Sequence, residues 1–221
     1  MIKSVETTAL FDCQNQLVQN LFFSCQFPWE ILSKLKDFFA RLTENPPLGF
    51  TQLEDNVFLG NNVKLDKNAL LKGPAVICDG CEIRTGAFIR GNVFIGENCV
   101  VGNSTELKNC ILLNNVQVPH YNYVGDSILG NYSHLGAGAI CSNLKSDGKN
   151  VVIHGEKDYP TNLRKVGAFL GDHSEIGCGC VLNPGTVIGK NSTVYPLTSV
   201  RGVTPANYIV KSNSNIVPKR K

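Results

Sequence analysis

The chain has 221 residues, of which 43% are hydrophobic, 18% charged and 8% aromatic; this suits one well-packed domain and excludes wholesale disorder. Lys and Arg total 21 against 18 Asp and Glu, so the net charge of +3 is too small and too scattered for a nucleic-acid binder. No run approaches the ~20 apolar residues of a membrane span, and the opening MIKSVETTALFDCQNQ lacks a signal-peptide core, so we expect a cytoplasmic protein with no membrane partner.

Residues 1–50 form an N-terminal segment in which residues 28–42 read as an amphipathic helix. Pro28 suits the first turn, Ile31, Leu35, Phe38 and Leu42 share one face, and Pro46 and Pro47 end it. The expected role is a cap over the open end of the repeat stack that follows, because solenoid ends need covering.

Residues 51–205 carry a six-residue period. An aliphatic residue returns at Leu59, Leu65, Leu71, Ile77, Ile83, Ile89, Ile95, Val101 and Leu107. Four residues behind each runs a small column: Val63, Ala69, Ala75, Cys81, Ala87, Val93, Cys99 and Thr105. The phase slips by one residue to Leu112, Val118 and Val124, slips again to Leu129 and Leu135, and resumes over Leu170, Ile176, Leu182, Ile188, Val194 and Val200. Six is neither a helical nor a simple strand period. Three such units close one triangular coil of a parallel β-helix, aliphatic side chains inward, and the coils stack to bury them. The glycines after the aliphatic position, such as Gly96, Gly136 and Gly171, are expected to serve strained bends.

The nine cysteines include a Cys78/Cys81 CxxC and a Cys178/Cys180 CxC, but no second pair of zinc-finger spacing. Cys81, Cys99, Cys110 and Cys180 fall in the small column and read as apolar fillers, and no metal is expected. Between Leu135 and Leu170 the period breaks; residues 144–168 must loop out of the stack, and an excursion of that length is often functional. Residues 206–221 read as a solvated basic tail ending in Lys219, Arg220 and Lys221.

The hexapeptide pattern resembles the left-handed β-helix acyltransferases. The stretch VVGNSTELKNCILLNNVQVPHYNYVGDSILGNYSHLGAGAICSNLKSDGKN is more specific. It resembles the acetyltransferase domain of bacterial bifunctional glucosamine-1-phosphate acetyltransferase/N-acetylglucosamine-1-phosphate uridyltransferase. It is also similar to archaeal amino-sugar-1-phosphate acetyltransferases, and NLRKVGAFLGDHSEIG is nearer to the archaeal pattern. The resemblance implies an all-β left-handed parallel β-helix that moves an acetyl group from acetyl-CoA to the amine of an amino-sugar 1-phosphate. That step serves UDP-GlcNAc biosynthesis.

Carried over residue by residue, the resemblance makes His120 the general base and the Ala137 N–H, in the Gly136–Ala139 turn, the oxyanion donor that also faces acetyl-CoA. Arg90, Lys108, Tyr123 and Lys149 fall on the phosphate clamp, and Glu106, His134 and Asn143 on the sugar contacts. Cys178 and Pro196 fall on the CoA-binding coils. Three positions depart from the pattern: Cys178 replaces a hydroxyl-type side chain, His134 an asparagine, and Leu144 a tyrosine of the bacterial enzymes. They bear on which sugar is read, glucosamine- or galactosamine-1-phosphate, more than on reaction type. The resemblance further implies a homotrimer with the 144–168 loop ordered by a neighbouring copy. The alternatives are a silent hexapeptide scaffold, which has no reason to retain the set above, and an acyltransferase for another sugar nucleotide. The chain shows no G-x-G-T-R loop, so nucleotidyl transfer is not expected.

Overall fold

Because the aliphatic position recurs every sixth residue, successive copies land on successive faces. In the computed structural model, which describes residues 5–212 and 214–220, Leu59, Ile77 and Ile95 pair in register on a first sheet. Leu65, Ile83 and Val101 pair on a second, and Leu71, Ile89 and Leu107 on a third. The sheets hold nine, nine and seven strands, parallel throughout except at the ends of the first two. These aliphatic residues and the small column make one interior core along the stack. The phase slips shorten the coils without breaking the ladders: Leu107 pairs with Val124 and Leu112 with Leu129, each 17 residues on. The result is the parallel β-helix expected from the repeat.

The glycines after the aliphatic position act through space rather than torsion. Gly136 and Gly171 have no left-handed φ, but a Cβ on Gly136 would lie 2.6 Å from the Cys178 nitrogen of the next coil, and one on Gly171 2.7 Å from the Lys190 nitrogen. Close stacking of backbone on backbone excludes a side chain there. The left-handed turns fall instead at the corners, largely on Asn98, Asn115, Asp126, Asn191 and a separate set of glycines.

The helix forms over Pro28–Glu44, with Pro28 in the first turn and the Glu30 Oε2 accepting the Phe27 N–H at 3.1 Å. It does not cap an end of the stack. Ile31, Leu35, Phe38 and Phe39 pack in one cluster with the outward residues of the first sheet: Phe58, Val76, Phe94, Ile111, Ile128, Phe169 and Val187, each 0% exposed. The first sheet is therefore buried on both faces. The physical reason is the larger apolar debt of that face, which runs the length of the stack, whereas an end presents one coil. The segment before the helix follows the same face, with the Asp172 N–H donating to the Leu10 carbonyl at 3.0 Å.

Part of the 144–168 excursion is held within the chain itself. Strands Val152–His154 and Asp158–Pro160 form an antiparallel hairpin, and Val151, Ile153 and Val166 are buried in the cluster under the helices. The end of the chain is no free tail either. Tyr208–Ser212 joins the second sheet and Asn215–Pro218 folds back on it, where the Lys219 ammonium donates to the Asn191 carbonyl at 3.2 Å. Lys221, and residues 1–4 of the N-terminal segment, lie outside the described residues. The CxxC is split between the two cores: Cys78 faces the helices and Cys81 the interior. Eight cysteines are buried and Cys178 alone is exposed.

Candidate active site

The corner between the second and third sheets collects the residues expected to do chemistry. The Tyr121 N–H donates to the Asn103 carbonyl, Gly138 to His120, Gly179 to Ala137 and Leu197 to Cys178, at 2.8–3.0 Å. Asn103, His120, Ala137, Cys178 and Pro196 thus occupy equivalent positions in successive coils, about 4.8 Å apart. His120 and Ala137 are immediate neighbours up the stack. His120 is exposed, and no described residue bonds its ring. Nor does any described residue accept from the backbone N–H of Ala137 or Cys178. An exposed imidazole and unpaired amide donors therefore share one edge.

Asn122, which the sequence reading missed, fixes this edge. It is 3% exposed. Its Oδ1 accepts the His120 N–H at 3.1 Å, while its Nδ2 donates to the carbonyls of Gly136 at 2.8 Å and Ala139 at 3.2 Å. One buried amide thus ties the His120 corner to the turn that carries Ala137. The signal available was position: a polar side chain in the small column of a shortened coil.

The outer face of the third sheet begins one residue later. Tyr123 pairs in register with Glu106, and Glu106 with Phe88. Arg90 Nη1 lies 2.6 Å from Glu106 Oε1, and the guanidinium sits 5.9 Å from the Phe88 ring centroid. The Lys108 ammonium lies 3.5 Å from Asp126 Oδ2, and Asn109 donates to Asp126 Oδ1 at 2.8 Å. Asn143 donates to Asp126 Oδ2 and, at 3.2 Å, to the Tyr123 hydroxyl. Asp126, 5% exposed, is the hub of this face and a second residue missed at the sequence level. Burial first, then the Glu106 and Asp126 carboxylates, push the Tyr123 phenol up, so it stays protonated and can donate. The Tyr123 ring lies over Gly125, where a Cβ would come 2.7 Å from its Cζ.

Arg90, Glu106, Lys108, Tyr123 and Asn143 are therefore brought together. The Arg90/Glu106 and Lys108/Asp126 pairs balance to zero charge, and a further cation stands beside them: Lys72 pairs in register with Arg90. Lys72, Arg90 and Lys108 are spaced 18 residues apart, a coil-period signal present in the sequence. Lys149 is not joined to this group; it is exposed in the excursion, its N–H on Asp147 Oδ1 at 3.0 Å. His134 is on the second sheet, its Nδ1 bonded to Glu175 of the next coil, and so faces away from the Arg90–Asn143 cluster within one chain.

The GMPPB C-terminal domain family matches residues 71–158. "Bifunctional protein GlmU" of Methanococcus vannielii is 33% identical over 119 residues, 53% of this chain and 29% of that protein. A bifunctional sugar-1-phosphate nucleotidylyltransferase/acetyltransferase of Sulfurisphaera tokodaii is 35% identical over 94 residues, 42% of this chain and 23% of that protein. The chain spans less than a third of the length of these curated relatives. A solved structure of AntD, an N-acyltransferase from Bacillus cereus in complex with dTDP and coenzyme A, aligns at 18% identity and a TM-score of 0.43, over 78% of this chain and 91% of that one. The relatives bear out the resemblance to hexapeptide-repeat acyltransferases that the repeat and the middle segment carry. Among the described residues no helix is long and apolar enough to cross a membrane.

Proposed function

We propose that this acyltransferase-like β-helix transfers an acetyl group from acetyl-CoA to the amine of an amino-sugar 1-phosphate. The observation that carries the reading is the Asn122 tie, which holds His120 one coil from the unpaired Ala137 N–H. His120, as neutral imidazole, takes the proton from the ammonium of the substrate. The amine attacks the thioester carbonyl, and the Ala137 N–H holds the oxyanion. Collapse expels the CoA thiolate, which takes the proton held by the imidazolium, while the second proton of the attacking nitrogen leaves to solvent, so that amide, CoA thiol and one released proton result and His120 returns neutral. CoA lies along the same edge past Cys178 and Pro196.

The phosphate is held on the third sheet by Arg90, Lys108 and the Tyr123 hydroxyl, Lys72 supplies positive charge that the two internal ion pairs cancel, and Lys149 joins them only where a neighbouring copy brings its excursion to this face. Glu106 and Asn143 read sugar hydroxyls. His134 reaches the sugar only if the second sheet of one copy faces the third sheet of the next. We therefore place the chain in a homotrimer whose helix-covered first sheets point outward. The unpaired thiols fit a reducing, cytoplasmic setting.

The test is thiol release from acetyl-CoA with glucosamine-, galactosamine- and mannosamine-1-phosphate, and with the unphosphorylated sugars as controls. We expect turnover with at least one sugar phosphate and at least ~10-fold lower kcat/KM for its unphosphorylated form. Equal use of the two forms removes the clamp, and no release with any of them removes the reading. Sedimentation at micromolar concentration tests the trimer.

A further inference from the structure

The catalytic edge is paralleled by a column of left-handed turn residues, one per coil: Gly86, Ser104, Tyr121, Gly138, Gly179 and Leu197, with φ between 52° and 71°. Glycine adopts this region freely, but a Cβ followed by a bulky group is disfavoured there. Elsewhere on the corners the large exceptions have a visible use: Tyr132 and His173, both left-handed, stack at 4.9 Å with their rings 3° apart. Tyr121 has no such partner. It is 64% exposed, and among the described residues nothing stacks on its ring or bonds its hydroxyl. Leu197 is 85% exposed.

These side chains shape the edge. Leu197 leans over Gly179, where a Cβ would lie 2.8 Å from Leu197 Cδ2. Over Gly138 the space is open, the nearest atoms being Gly179 backbone at 4.0 Å. The edge thus has a gap over Gly138, with Tyr121 at the equivalent position one coil before it and Leu197, leaning over Gly179, on the other side. His120 and Ala137 immediately precede Tyr121 and Gly138, so the unpaired Ala137 N–H borders the gap. On the acyl-transfer reading above, a donor arm entering over Cys178 and Pro196 would pass Leu197, set its thioester carbonyl at Ala137 and point its acyl carbons toward Tyr121.

We propose that Tyr121 is the acyl-size determinant of this edge: its ring ends the gap one coil beyond the thioester and confines the transferred group to about two carbons. Strain is retained at that corner because a glycine there would leave the gap open. This rests on the acyl-transfer reading above.

The experiment compares wild type, Tyr121→Gly and Tyr121→Phe with acetyl-, propionyl- and butyryl-CoA, by thiol release and by calorimetric binding. Tyr121→Gly is expected to raise the butyryl-to-acetyl ratio of kcat/KM by about 10-fold or more, and Tyr121→Phe to leave that ratio near the wild-type value. A thermal midpoint at or above wild type for Tyr121→Gly shows the fold intact, since glycine relieves the left-handed turn. If wild type transfers acetyl but the glycine ratio moves less than twofold, the size-determining role is overturned and acyl transfer stands. If wild type binds the thioesters without transfer, acyl transfer fails, and the butyryl-to-acetyl affinity ratio decides Tyr121 alone: a 10-fold rise in the glycine variant supports it, no rise overturns it. Binding of none of the three overturns both.

Discussion

The first and third sheets are built from one six-residue unit, share one interior core and stack through the same ladders, yet they end in opposite uses. What differs is the outward residue that directly precedes the inward aliphatic one in each strand. On the first sheet it is Phe58, Val76, Phe94, Ile111, Ile128, Phe169 or Val187, and the chain's own helices cover the column completely. On the third it is Leu70, Phe88, Glu106, Tyr123, Ile140, Val181 or Ser199, and the face stays open and charged at its centre. The scaffold is indifferent to this column. Stability is drawn from one face, and the candidate chemistry stands on another and on the corner beside it.

The contrast is broken most severely from the covered side. Phe94→Ala or Phe169→Ala is expected to cost about 3–5 kcal/mol in denaturant unfolding, through lost burial plus a cavity between sheet and helices. Glu106→Ala on the open face is expected to cost about 1 kcal/mol or less, because its ion pair with Arg90 is largely solvated. Equal costs would mean that the two faces do not divide the work.

On the open side the next effect is kinetic. His120→Ala is expected to lower kcat by about 10²-fold or more, with acetyl-CoA binding and the thermal midpoint little changed. Activity within a few-fold of wild type would remove His120 as base. Asp126→Ala is expected to raise KM for the sugar phosphate by about 10-fold with a smaller change in kcat, since it frees Lys108, Asn109 and Asn143 together. A KM within twofold of wild type would show that this carboxylate does not organise the face.

The thiols sharpen the same division with the smallest energies. Burial pushes the Cys78 thiol, under the helices, and the Cys141 thiol, in the interior, up to about 12. A thiol raised in the fold ionises first in the unfolded chain. Its contribution is therefore complete below about pH 9 and is lost as pH rises toward the folded value, about 0.8 kcal/mol per thiol at pH 9.5. Urea unfolding between pH 7 and 9.5 measures this, and a flat profile would contradict it. At neutral pH an alkylating reagent should reach Cys178 on the open edge well before any buried thiol.

Most of the architecture was legible in the residues because the interior of a β-helix is one-dimensional. Each coil repeats the same demand for an inward aliphatic residue and a small filler, so the period from Leu59 to Leu107 and the later block disclosed three faces, stacked coils and the place where residues 144–168 leave them. The resemblance carried by the middle segment likewise pointed to His120, Glu106, Lys108, Tyr123 and Asn143, with Arg90 just ahead of it, as candidate residues. The direction in which the non-repeating parts fold was not legible as read. Phe58, Val76 and Phe94 recur every 18 residues and mark the face that needs a cover, but the helix stripe of Ile31, Leu35 and Phe38 states only that it must bury itself, not against what. Nor does any local pattern reveal that Asn122 reaches across to the Gly136 carbonyl, or that Asp126 gathers Lys108, Asn109 and Asn143. The sequence by itself determined the coil, since its core contacts repeat at a fixed separation. Only the tertiary structure decided which face is covered and how the corner is tied, because those contacts join residues from 14 to more than 100 positions apart and depend on where two surfaces meet.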